Sequence, residues 1–331
     1  MSTLFRRCTT RSTRCRLSAL VLAALSLSAA HAQTYPSRPI RLVVAVAAGG
    51  GTDILSRLLA ARLTQTLGQN VVVDNRGGGN SIIGTTIAAK APADGYTLLT
   101  ATNASHSINP GLFPDLPYDT VRDFTPIVAL AGVPVALVVT PAFPGRTLQE
   151  FIAHAKALDG KLTHGSSGTG GTGHLAAELF KAATGTRAVH VPYRSDGPAL
   201  IDLLGGQISF MFPNMPAIVS YVKGGRLRAL AVSSPKRSPA LPEVPTLIES
   251  GVKLEVLGWY CIMGPAGIPQ PIVTRLNGEI NKILLEPDFR EKLGGLGATA
   301  MGGRPDQVTA LIKSDMAKYA KAIKDSGAKP D

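Results

Sequence analysis

Cysteine is almost absent from this sequence. There are three in 331 residues, of which Cys8 and Cys15 precede the first apolar run and only Cys261 follows it. One cysteine beyond that run excludes an intramolecular disulfide. The roughly 300 residues beyond that run must then rely on their core, which at that size buries roughly three quarters of the unfolded surface. Cys261 lies in the apolar stretch Trp259-Tyr260-Cys261-Ile262-Met263 and reads as a buried small hydrophobe. Acidic residues are also scarce, 22 Asp and Glu against 34 Lys and Arg. Apart from Lys223 to Arg228 and Lys236-Arg237 the excess is scattered, so no basic stripe points to nucleic acid. A mildly basic surface suits an anionic small molecule instead.

Several chemistries lack their signatures. The phosphate loop G-x-x-x-x-G-K-[ST] does not occur, and Gly49-Gly50-Gly51 does not continue as G-x-G-x-x-G because position 54 is isoleucine. Gly165-Ser166-Ser167-Gly168 is followed by Thr169, where the nucleophile elbow G-x-S-x-G needs glycine. No two histidines stand four apart and none has a cysteine partner, so neither a metal nor a cofactor is expected.

What is present begins with a leader. Arg6, Arg7, Arg11, Arg14 and Arg16 precede an apolar run over 17–30, and Ala30-His31-Ala32 is a small-x-small cleavage site. Together they describe a secretory signal peptide over residues 1–32. The run of about 14 residues is short of the ~20 that a membrane helix needs, and no later segment is long and uncharged enough to span. The expectation is an exported, periplasmic chain cleaved after Ala32, whose formal charge falls from +12 to +7 as the five leader arginines leave.

Short β-branched runs then alternate with helical periods, which predicts an α/β fold with largely parallel sheets. Strands near 40–47, 71–74 and 97–101 and helices near 52–67 and 82–91 form a βαβαβ unit, with Leu55, Leu58, Leu59, Leu63 and Leu67 as one apolar stripe and Gly68 as its stop. In "TPIVALAGVPVALVVTP" the interruption by Gly132 and Pro134 marks two strands or a crossover, because proline cannot sit in a central strand. A second α/β series over 162–232, a further strand in "LEVLGWYCIMGP" and a helical tail complete the chain. Apolar crossings near Gly132 and Gly258 predict two domains, 33–131 with 258–331 and 132–257, joined by a hinge.

Three glycine-rich loops fall at strand ends, where open α/β sheets bind ligands. The first is Gly49-Gly50-Gly51-Thr52-Asp53, with Thr52 or Asp53 expected as helix cap. Bare N–H groups and the macrodipole at such a helix start favour an anion, although the Asp53 carboxylate competes for the place. The second is Asn75-Arg76-Gly77-Gly78-Gly79-Asn80-Ser81, with Asn80 or Ser81 as cap. The third, "HGSSGTGGTGH", carries Ser166, Ser167, Gly168, Gly170, Thr172 and His174, and so much glycine and hydroxyl at a helix start exceeds what a plain connection needs. Tyr193, Arg194, Asn214, Asn103 and Ser105 also follow strands and join the candidate ligand set. An exported serine hydrolase using Ser166 or Ser167 with His164 or His174 is the rival, but it lacks the elbow and an acidic third member.

With these stretches assembled, the chain resembles the substrate-binding proteins of tripartite tricarboxylate transporters, the Bug receptors. The likeness rests on "GGGTDILSRLLA", "LGQNVVVDNRGGGNSIIGTTIAAKAPADGYTLL", "SSGTGGTGHLAAELFKAATG", "HVPYRSDGPALIDLLGGQISFMF" and "GGRLRALAVSSPKRSPALPEVPTLIESG" in that order. The resemblance implies a periplasmic-binding-protein-like Venus flytrap of two α/β domains. Such a receptor is monomeric and non-enzymatic, binds a small carboxylate through loop amides, hydroxyls and water, and delivers it to a membrane permease or reports it to a sensor kinase. It places the carboxylate loops on Gly49 to Asp53 and on Ser166 to Thr172. Val46-Ala47-Ala48 departs from the family's aromatic and prolines, and Arg194-Ser195 from its Lys-Gly.

Overall fold

The computed structural model describes residues 35–326, so the leader expected over residues 1–32 lies outside the described residues. Strand β1 (Ile40–Val44) leads into helix α1 (Gly51–Leu67), followed by β2 (Val71–Asn75), α2 (Ile82–Ala89) and β3 (Thr97–Thr102). This is the expected βαβαβ unit, with β1 parallel to both β2 and β3. The leucine stripe accounts for α1. Leu55, Leu59, Leu63 and Leu67 are buried, Leu58 is half-buried at the stripe's edge, and Gly68 ends the helix at φ 70°.

A π-helical turn (Ala104–Ile108) and α3 (Asn109–Leu112) lead to β4 (Phe124–Pro134) and β5 (Ala136–Val139), then to α4 (Leu148–Leu158). The second series is β6 (Thr163–Ser166), α5 (Thr172–Thr184), β7 (Val189–Pro192), α6 (Asp196–Leu204), β8 (Phe210–Met211), α7 (Met215–Lys223) and β9 (Arg228–Val232). The chain ends with β10 (Leu257–Pro265), α8 (Gln270–Leu285), α9 (Pro287–Gly295), β11 (Thr299–Gly302) and α10 (Pro305–Ser326).

These strands form two mixed sheets, β11-β4-β10-β3-β1-β2 and β7-β6-β8-β5-β9. Parallel pairing is confined to β2-β1-β3 and β7-β6-β8, less than the largely parallel sheets expected. The rest is antiparallel, because β4, β5 and β10 are joined to their neighbours by the crossings between sheets rather than by crossover helices. Only Val135 separates β4 from β5, so the chain leaves the first sheet at Pro134, and β10 returns to it with Leu257 opposite that proline. Pro126, inside β4, stands where the β4–β10 register shifts, the irregularity that lets a strand accept it.

Each sheet carries its own core. Phe151, Phe180, Phe210 and Phe212 pack edge and tilted against one another under the second sheet. Trp259, Cys261 and Met263 of β10 join Val43 and Leu99 with Val308 and Ile312 of α10 under the first. Cys261 is a free, buried thiol pushed up by that burial. Helix α4 buries Leu148, Phe151 and Ala155 along one face, and Thr147 and Glu150 form a capping box at its start, a signal present in "TLQE".

Two glycines test the packing in opposite directions. A Cβ at Gly84 would lie 2.6 Å from the Arg76 carbonyl oxygen and 2.7 Å from Ala45 Cα, whereas Gly278 in α8 faces open space. Gly84→Ala is expected to destabilise by about 1–3 kcal/mol through overpacking. Gly278→Ala should stabilise by up to ~1 kcal/mol through helix propensity. Urea unfolding of both variants checks this, and shifts of the same sign would contradict it.

Candidate functional site

Helix α1 starts without a side-chain cap. Gly50 is the N-cap, not Thr52 or Asp53, because Asp53 folds back from the third helical position to accept the Gly49 N–H at 3.0 Å. Its other oxygen accepts from Asn75 Nδ2 at 3.0 Å and pairs with Arg57 Nε at 3.0 Å. Burial works to raise this carboxyl, but those three partners outweigh it and hold Asp53 below the ordinary carboxylate range. The acid is therefore charged and satisfied at home, while the N–H groups of Gly51, Thr52 and Asp53 donate to no described residue.

Opposite that helix start lie the beginnings of α6 and α7. A Cβ on Gly50 would come within 3.5 Å of Ser195 Cβ, and one on Gly51 would sit 2.9 Å from Asn214 Cβ and 3.0 Å from the Tyr260 hydroxyl. From the other side, a Cβ on Gly197 would meet the Ala48 carbonyl oxygen at 2.9 Å. Bare glycine is what permits the two backbones to meet here. The Ala47 N–H donates to the Arg194 carbonyl oxygen at 3.1 Å, tying the same two loops together.

The loop between β6 and α5 is held by its own side chains. Ser166 Oγ donates to the Gly168 carbonyl oxygen at 3.0 Å, accepts the Gly168 N–H at 3.1 Å and lies 2.7 Å from His190 Nε2. His174 Nδ1 accepts the Gly170 N–H at 3.0 Å. Beneath the loop the rings of His164, His174 and His190 gather, His164 stacked on His190 with centroids 4.9 Å apart and His174 tilted against His190 at 4.1 Å. Glu178 Oε1 faces this stack, 3.3 Å from His164 Nε2, 3.7 Å from His174 Nε2 and 2.7 Å from Lys181 Nζ.

A cavity of about 580 Å³ opens beside the seam. It is lined by Ala47, Gly78 to Ile82 and Phe113 from the first-sheet side and by Ser167 to Thr169, Pro192 to Arg194 and Pro198 from the second. Its size is that of a small-molecule site. Of the candidate residues, Asn80, Ser167, Gly168, Tyr193 and Arg194 line it directly. The Arg194 side chain is exposed and makes no hydrogen bond or ion pair with a described residue, whereas Tyr193 donates to Asp202 Oδ2 at 2.6 Å, and burial with that acid pushes its phenol up to about 12.

Other candidates have different work. Asn80 does not cap α2, since Asn80 and Ser81 adopt left-handed backbone, and its amide donates instead to Asn109 Oδ1 at 2.6 Å. Asn103 Oδ1 accepts from Thr172 Oγ1 at 2.9 Å and its amide donates to Tyr319, so it joins β3 to α5 rather than facing the cavity. Ser105 is enclosed in the turn with Thr102 and His106. Arg76 is paired with Asp74. Neither serine of the rival dyad bonds to His164 or His174, and the Ser166 neighbour is His190. No spacing or motif in the sequence marks His190, Glu178 or Tyr260 for these places. The last sits in the apolar "WYC" run and reads as core, and only its position on β10, two strands from β1 in the sheet, brings its hydroxyl to Gly51.

Two α/β units meeting at glycine loops define a solute-binding protein of the periplasmic-binding-protein type. The profile of the tripartite tricarboxylate transporter family receptors matches residues 55–328, and the chain belongs to that family. Protein BugT of Bordetella pertussis is 38% identical over 300 residues, covering 90% of this chain and 92% of BugT. Among solved structures, R. palustris Rpa4515 with adipate is 38% identical with a TM-score of 0.88, covering 90% of this chain and all of that one. MatC (Rpa3494) from Rhodopseudomonas palustris with bound malate is 30% identical with a TM-score of 0.82, covering 87% and 100%.

The charges under the β6–α5 loop give a pH test. Burial raises the Glu178 carboxyl, but His164, Lys181 and His174 outweigh it and bring it to about 2, below its ordinary 4.5. A depressed carboxyl stabilises the fold above its unfolded value, and that contribution disappears as pH falls from about 4.5 to about 2. Glu178→Gln should therefore cost on the order of 2 kcal/mol at pH 7. The gap to the parent protein should close in acid unfolding curves, and a gap independent of pH would contradict the assignment.

Proposed function

We propose that this chain is an exported, periplasmic receptor. It captures a small organic carboxylate (a di- or tricarboxylate, an acidic amino acid, or an aromatic or heterocyclic acid) between its two domains and delivers it to a membrane permease. The domains are 33–131 with 258–331 and 132–257, and the hinge is the pair of crossings where Leu257 stands opposite Pro134. The observation that carries the reading is the pairing of uncommitted donors with a cavity of the right size. The Arg194 guanidinium, which pairs with no described residue, lines the cavity, and the first-turn N–H groups of α1 lie at the adjoining seam, where the acid Asp53 is already neutralised by Arg57. The adipate and malate bound to the two related structures support the ligand class.

Nothing in the arrangement favours the hydrolase. Ser167 has no histidine partner among the described residues, and His174 is occupied by the Gly170 N–H. Capture by backbone donors needs no bond to be broken, so domain closure around the ligand is the whole mechanism.

A thermal-shift screen of mono-, di- and tricarboxylates should find at least one ligand that stabilises the protein, by about 2.7 kcal/mol at a hundredfold excess over Kd. Small-angle scattering should show compaction with the same ligand. Arg194→Ala should weaken it by roughly tenfold or more, the loss of one charge-assisted hydrogen bond. A broad panel giving neither stabilisation nor compaction would overturn the proposal.

A further inference from the structure

The start of α6 carries a second acid in a very different setting from Asp53. Asp196 is 3% exposed and pairs with no cation among the described residues. The Asn214 side-chain amide at 3.0 Å and the Asn214 N–H at 3.3 Å both donate to its Oδ2, and its Oδ1 accepts from no described residue. Burial pushes this carboxyl upward, with the two Asn214 bonds only partly opposing it.

A helix-start acid alone would be a dipole effect, but three further atoms around it are orphaned. Ser195 Oγ, Asn214 Oδ1 and the Tyr260 hydroxyl are buried with no atom of the described residues in hydrogen-bond geometry, in residues 1%, 7% and 2% exposed. All three belong to residues that crowd the Gly50–Gly51 edge; burial raises the Tyr260 phenol, the Thr52 side chain beside it works the other way, and Asp196 raises it further. Folded proteins seldom leave such atoms empty-handed. Two of the four free positions, Asp196 Oδ1 and Asn214 Oδ1, accept only, and the two hydroxyls can do either.

Resting on the carboxylate-receptor reading, we infer that Asp196, Asn214, Ser195 and Tyr260 form an acceptor-rich subsite selecting carboxylates that carry a hydrogen-bond donor, best an ammonium group, beside the carboxylate. A carboxylate turned toward Asp196 would meet like charge, whereas the bare N–H groups of α1 stand across the seam to receive it. The two helix starts thus divide the ligand between them. One supplies donors to its anion and the other supplies acceptors to its amine or hydroxyl. An ammonium with three donors satisfies more of the orphaned atoms than a hydroxyl with one, which sets the order of preference.

Isothermal titration of the full mature protein with succinate, malate and aspartate, and with adipate and 2-aminoadipate, tests this. Within each chain length the acids differ only in the group beside one carboxylate. The ammonium acid should bind at least tenfold more tightly than the unsubstituted one, with the hydroxy acid between them. Asp196→Asn, which keeps shape and removes charge, should abolish that preference and leave the unsubstituted diacid unchanged or tighter. Should that variant fail to fold, Tyr260→Phe reads the same subsite and should cut the preference two- to fivefold. An unchanged ranking in the variants while the diacids still bind would overturn the subsite alone. Failure of every acid to bind the parent protein would overturn both the subsite and the receptor reading.

Discussion

The molecule depends on one close approach, that of the α1 start to the starts of α6 and α7. At Gly50 and Gly51 a single added carbon would meet Ser195, Asn214 or the Tyr260 hydroxyl within 2.9 to 3.5 Å. Only a chain without side chains at these positions can bring the donors of one helix terminus against polar groups carried by the other sheet. The parallel edges β2-β1-β3 and β7-β6-β8 exist to aim those termini, since each helix leaves its strand at the same end of the sheet. Because the approach is made by backbone, the α1 start offers directional N–H groups that need no side-chain ordering, which leaves Arg194 as the flexible donor beside them.

Electrostatics are settled locally before any ligand arrives. Asp53 is neutralised by Arg57 and by two neutral donors within its own unit, so the acid at the α1 start does not repel an anion as strongly as its position suggests. Glu178 does the corresponding service under the β6–α5 loop, where it keeps the histidine rings and Lys181 in register beneath Ser166 and Gly170. Arg194 remains unpaired at the cavity, and Asp196 remains without a cation. These are the two charged residues to which the proposal assigns the ligand's opposite ends.

Much of this organisation was open to inspection of the chain alone. The leucine spacing of α1, the glycine after it and the alternation of strand and helix follow from local periodicity, and the structure agrees within a few residues. The proline at 134 correctly separated two strands because its effect is local as well. What escaped were features set by distant partners. Tyr260 reads as core because its neighbours are apolar, and only sheet order brings it to Gly51. The histidine stack gathers residues from β6, α5 and β7, which no spacing rule connects. Asn103 and Ser105 follow a strand as ligand residues would, yet tertiary contacts direct them to Thr172 and to their own turn. The cap was misplaced at α1, where the Gly50 backbone rather than a side chain shapes the start; at α2 Ser81 is the N-cap as one of the two expected residues, although its side chain makes no capping bond.

The central claim is that a carboxylate is held where the α1 start faces the second unit. A crystal structure of the protein with the tightest carboxylate from a binding screen tests it most directly. The account predicts carboxylate oxygens within hydrogen-bond distance of the Gly51 to Asp53 N–H groups or of Arg194, with protein from both sheets in contact. A ligand seated elsewhere, such as among Lys236, Arg237 and Arg290 at the cavity beside the crossings, with the glycine seam untouched, would contradict it.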